Sequence, residues 1–191
     1  MKKLLIKFCL LVILFFHANT IIAQQLPAKL QSMHHVDAFT LGIGYNYEQV
    51  VAPKLTISAG ASLRPVAESY YNWYDGTSST VWGIYPSISL DPRWYINYNK
   101  RVKKGKRVTN NSANFVSLMF EYIPDIAIIG DDGIIYPTLL VSPRWGMRRS
   151  FSERFFMEFA AGVNLIIREE EAGSGNSLHL DLKVGYAFNK R

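Results

Sequence analysis

Cysteine is all but missing. The 191-residue chain holds one, Cys9, inside an apolar stretch at its start. If that stretch is removed on export, the remaining chain has no thiol, which excludes a structural disulfide, a thiolate metal site and a nucleophilic cysteine. Long apolar runs are missing too: beyond the first 23 residues none approaches the roughly 20 residues of a helical membrane span. Charge of one sign is scarce. The formal +6 includes Lys2, Lys3 and Lys7 and no acid from the first 23 residues, which leaves +3 for residues 24–191. That balance is not the footprint of a nucleic-acid binder. Convincing amphipathic helical periodicity is absent as well. A chain that is 49% hydrophobic and 14% aromatic must then place its apolar residues in a period-2 pattern or in a core.

The first residues have the three parts of an export signal. Lys2, Lys3 and Lys7 make it positive, Leu4–Phe16 make it apolar, and Ala23 puts a small residue before Gln24. The apolar part is too short to stay behind as a membrane anchor. Cys9 lies too early to become a lipid-modified first residue. The expected layout is a signal peptide at 1–23, cleaved after Ala23, an N-terminal segment at 24–37 that supplies an extra strand, and one domain at 38–191.

Within that domain the period is 2, repeatedly. Phe39, Leu41, Ile43, Tyr45 and Tyr47 alternate with Thr40, Gly42, Gly44, Asn46 and Glu48. Leu55–Leu63 resume the pattern after a Val-Ala-Pro-Lys turn, and an aromatic loop follows at Tyr70–Gly76. Alternation returns at 84–98, 116–122, 138–148, 157–168 and 178–188. Pro86 and Pro92 predict bends or bulges in the third strand, and Asp131-Asp132-Gly133 predicts a tight turn. Seven strands are clear, and their lengths match tilted membrane-spanning strands. An open sheet would leave two edges unsatisfied in lipid. The expected fold is therefore an all-β, antiparallel, up-and-down transmembrane β-barrel of eight strands, with the eighth drawn from Ala28–Val36 because single-chain bacterial barrels have even counts.

The polar face separates a membrane barrel from a soluble one. It is built of Gly, Ser, Ala, Thr and Asn, with five acids (Glu48, Asp91, Glu121, Glu158, Asp181) and five bases (Arg64, Arg93, Arg144, Arg148, Lys183). An eight-stranded interior is just wide enough for side chains to fill, and buried charges must pair. The other face carries no charge across all seven strands, as lipid contact demands, with aromatics near the strand ends. Counting back from Phe188 puts the Val51–Lys54, Lys100–Ser112 and Ser150–Arg154 turns on the periplasmic side. Segments 67–80, 130–133 and 169–176 then face outward.

Leu90-Asp91-Pro92-Arg93-Trp94-Tyr95-Ile96-Asn97, Lys100–Lys106, Asn111–Leu118 and Trp145-Gly146-Met147-Arg148-Arg149 together resemble a recurring pattern in uncharacterised outer-membrane barrels of Bacteroidota. The resemblance covers most of residues 38–188. It implies fold and location, and brings no activity with it.

Chemistry candidates are few. His179 joins the ten charges as a member of the lumen network. With Asp181 and Lys183 on the same face it is the one candidate for a lipid A deacylase-like hydrolase, but a lumenal histidine is badly placed for an ester lying in the leaflet. His34-His35 point to opposite faces of any strand, and read as a surface pair. Glu169-Glu170-Glu171 read as a solvated loop end. The basic turn Lys100, Arg101, Lys103, Lys104, Lys106 and Arg107 suits lipid headgroups or an acidic periplasmic partner. No cofactor, metal or nucleic acid is expected. The partners expected are outer-membrane lipid and the barrel assembly machinery. A structural or surface-interaction barrel is the favoured reading, with the lipid hydrolase and a narrow solute channel as alternatives.

Overall fold

The computed structural model describes residues 29–39, 42–71, 76–130, 136–168 and 174–188. The expected signal peptide, Trp73 and Tyr74, the 131–133 turn and Glu169–Glu171 lie outside them. The elements are β1 Met33–Phe39, β2 Gly42–Ala52, β3 Leu55–Tyr71, β4 Ser78–Tyr95, helix α1 Tyr98–Lys103, β5 Asn114–Ile123, a two-residue β6 Ile129–Gly130, β7 Thr138–Ser150, β8 Phe155–Ile167 and β9 Gly175–Ala187. A short 3₁₀ turn, Thr109–Asn111, lies between α1 and β5.

Each long strand pairs antiparallel with its neighbours, and β1 pairs with β9 from His35↔Ala187 to Phe39↔Lys183. The chain is thus a closed barrel of eight strands, with β6 a short extra pairing on β4. Closure satisfies both edges of the sheet. The eighth strand does come from the N-terminal segment, but it lies at 33–39 and takes Phe39 from the strand read as starting there. β2 accordingly begins at Gly42.

Three further differences have physical causes. Pro86 and Pro92 make no bulge against β3: they pair in register with Leu63 and Ile57. On the β5 side the pairing omits Asp91 and Pro92, where the proline has no N–H to give. The register shift instead falls at Val50/Ala52. Much of the segment read as an outer loop at 67–80 is strand, because β3 and β4 pair as far as Tyr71↔Ser78. The basic turn is not bare loop either, since Tyr98–Lys103 coil into a short helix.

The turn at 53–54, the segment 96–113 and the turn at 151–154 share one end of the barrel with residues 29–32 and Phe188; we call this the lower end. Inward-facing side chains fill the barrel. Three of its tightest contacts pair a phenylalanine with a glycine directly across the ladder: Phe39↔Gly42, Phe115↔Gly146 and Phe156↔Gly185. A Cβ on Gly146 would lie 2.4 Å from the Phe115 ring, and one on Gly185 would lie 2.2 Å from the Phe156 ring. Glycine at these points lets a ring lie flat on the neighbouring strand.

Candidate functional site

The lumen is polar because every strand turns its even or odd set inward as a unit. From β2, β4, β7, β8 and β9 the strand pattern sends Glu48, Asp91, Arg93, Arg144, Arg148, Glu158, Asp181 and Lys183 toward one axis. Arg148 and Glu48 are fully buried and Glu158 nearly so. The Arg148 guanidinium donates to Glu48 at 2.7 Å and contacts Glu158 at 2.6 Å. Arg93 bridges Glu158, at 2.9 Å, to Asp91. Asp91 also accepts from Arg144, which lies 3.7 Å from Asp181. Lys183 closes the chain on Asp181 at 3.2 Å. Charges alternate in sign along the line, so each buried ion is flanked by its opposite, as burial requires. Arg64 and Glu121 form a separate pair nearer the upper end, and Glu121 also accepts from Ser87 at 2.7 Å.

All eleven residues expected in the network therefore lie in the lumen and touch another member of it. His179 takes part through hydrogen bonds. Arg144 Nη1, which can only donate, lies 3.3 Å from its Nε2, and Nδ1 lies 2.9 Å from the Asn164 carbonyl oxygen. These partners place the ring proton on Nδ1 and leave Nε2 accepting from a guanidinium.

Sequence reasoning missed two members. His35 is not on the surface. It is buried, edge-on to Phe156, with Nε2 3.5 Å from Asp37. Asp37 is buried as well and accepts from the Asn46 amide at 2.8 Å. His34 does face outward, stacked on Tyr47 with ring centroids 4.4 Å apart. The signal for His35 and Asp37 was their spacing of two, which continues inward from Met33.

The lower mouth is plugged by the segment between β4 and β5. Tyr95, Tyr98, Ala113, Phe115 and Leu30 form an apolar floor there. Asn110 and Asn111 sit at φ 52° and 57°, a left-handed region that asparagine tolerates better than most residues. Asn111 donates to Glu48 and to the Gln31 carbonyl, both at 2.9 Å, and accepts from the Gln31 N–H at 2.8 Å. Tyr98 donates to the Lys29 carbonyl at 2.8 Å, and burial raises its phenol above the ordinary value. The basic residues stand around this floor: Lys100, Lys103, Lys104, Lys106 and Arg107 are exposed, and Arg101 donates to the Arg107 carbonyl at 2.8 Å.

No family model, curated protein or solved structure matches the chain. The four sequence motifs singled out above lie together in the structure. Leu90–Asn97, Lys100–Lys106, Asn111–Leu118 and Trp145–Arg149 are the plug and the strand ends that hold it. Asn97 accepts from the Asn114 N–H at 2.7 Å, and the Arg148 N–H donates to the Ala113 carbonyl at 2.8 Å.

Above the charge line the lumen opens into a cavity of about 240 Å³. Its polar wall is drawn from Asp37, Arg64, Glu121, His179, Asp181 and Lys183. The arrangement can hold a small polar group.

Proposed function

We propose that this chain is an outer-membrane β-barrel of structural or surface-interaction type, exported behind a signal peptide cleaved after Ala23. The observation that carries the reading is the barrel's outer surface. Leu118, Val163, Leu165, Leu178, Leu180 and Leu182 are each at least 40% exposed and face away from the lumen, as do Ile43 on β2 and Ile88 and Leu90 on β4. A soluble barrel would place polar groups there, and lipid demands the reverse. At the lower end Phe151, Phe155, Tyr186 and Phe188 form a continuous aromatic series with ring centroids 5.1–5.9 Å apart, in keeping with an interfacial girdle. With the lower end in the periplasm, the basic segment faces the inner-leaflet headgroups or an acidic periplasmic partner.

The lumen favours this reading over its alternatives. A channel needs a continuous path, whereas Arg148, Glu158 and Glu48 fill the section above a closed floor. A hydrolase needs a free histidine nitrogen beside a nucleophile, whereas Arg144 occupies Nε2 of His179. The test is fractionation with gel migration. The chain is expected in the outer-membrane fraction, migrating differently on a detergent gel before and after boiling. A chain that stays soluble and shows no shift would refute the membrane reading.

A further inference from the structure

The upper rim of the barrel wall is not level. β1 ends at Phe39 and β2 begins at Gly42, so among the described residues these two strands reach least far up that rim. On one side β9 leaves β1 after the Phe39↔Lys183 pair, and among the described residues Gly175–Leu182 pair with β8 alone. On the other side the β2 ladder on β3 ends at Ile43↔Leu63, and among the described residues Arg64–Tyr71 pair with β4 alone. Among the described residues the wall therefore has a notch above Phe39, and Phe39, Pro65, Leu178 and Leu180 beside it border the cavity. Leu178 and Leu180 point outward, 70% and 62% exposed, yet they line the cavity together with Pro65.

The chemistry at the notch is mixed. Arg64 and Lys183 flank the Phe39 ring, at 5.9 and 5.7 Å from its centroid. The lining acids Asp37, Glu121 and Asp181 outnumber these two bases, so an anionic group meets more repulsion than attraction. Asp37 and Asp181 engage their protein partners through Oδ2, which leaves Oδ1 able to accept. Lys183 retains donor capacity beyond Asp181. Donors and acceptors side by side around an aromatic face suit hydroxyl groups, which do both.

We propose that the notch and cavity bind a membrane amphiphile with a neutral, hydroxyl-rich head of the glycolipid type. The head enters the polar cavity and rests on Phe39, while its chains stay in the leaflet against Leu178 and Leu180. This inference rests on the membrane reading above. The test is native mass spectrometry of the full-length mature barrel, released from micelles of a polyoxyethylene detergent containing equal amounts of monoglucosyl diacylglycerol and phosphatidylglycerol. The glucosyl lipid is expected to be retained about fivefold over phosphatidylglycerol, the factor that one added hydrogen bond supplies. Ser89→Phe, which fills the cavity and leaves its charges in place, is expected to abolish that preference. Its heat-modifiable migration should be unchanged, so a misfolded variant is recognised. D181N, in case Ser89→Phe fails that check, is expected to lower retention of the glucosyl lipid. Equal retention of the two lipids, preference for phosphatidylglycerol, or a preference that survives both variants would overturn the inference while leaving an inserted barrel intact. A chain that never enters the membrane would remove the membrane reading as well.

Discussion

At the scale of the residue, the strongest constraint is that no charge in the lower lumen stands alone. Arg148 holds both Glu48 and Glu158. Arg148→Ala is expected to leave two buried carboxylates short of a partner and cost about 3–5 kcal/mol. Arg64, whose side chain is 31% exposed, leaves a single carboxylate, Glu121, which keeps the Ser87 hydroxyl, so the same change should cost less, about 1–3 kcal/mol. Urea unfolding followed by the gel-mobility shift measures both, and equal losses would contradict the buried-network account. A second residue-scale prediction concerns Gly146. Gly146→Ala drives a methyl into the Phe115 ring and should destabilise the barrel by about 1–3 kcal/mol. Adding Phe115→Leu should recover part of that loss in a double-mutant cycle. The ten paired charges were legible because period-2 alternation assigns a face to every strand residue. His35 and Asp37 were not, since His34 puts a polar residue on the outer face of Met33–Phe39 as well and hides their spacing of two.

At the scale of the element, the sequence was least informative where tertiary contacts override local pattern. Residues 67–71 and 78–80 look like loop, yet they are strand because each supplies the other's ladder. Lys100–Lys106 read as a charged turn, and nothing local announced that Asn110 and Asn111 would insert beneath the charge line in a left-handed conformation. The plug gives a prediction that separates conformation from bonding. Asn111→Gly keeps the backbone accessible and removes the amide that contacts Glu48 and Gln31, whereas Asn111→Ala loses both features. Both should raise hydrogen exchange across 97–113. Alanine should do so more, by the roughly 1 kcal/mol of left-handed strain. Identical exchange in the two variants would mean that backbone conformation contributes nothing to the plug.

At the scale of the whole molecule, closure was legible as a requirement before its location was. Seven alternating segments cannot close a sheet that is antiparallel throughout, so an eighth had to come from the N-terminal side, and β1 meets that need. The outer surface of the closed barrel makes a depth-dependent prediction. Leu118 lies near the middle of β5, and Phe155 begins β8 at the lower rim; both face outward and are 40% and 44% exposed. In water, an arginine at either position would be nearly neutral, since surface substitutions shift stability by about 0.5 kcal/mol or less. In a bilayer the two diverge. Leu118→Arg should cost about 2–4 kcal/mol and Phe155→Arg about 0–1. The comparison is made by equilibrium unfolding from lipid vesicles, with each variant referenced to the unsubstituted chain. A clear gap between the two costs places the barrel across the membrane with the 151–154 turn at an interface, and matched small costs would set it in water.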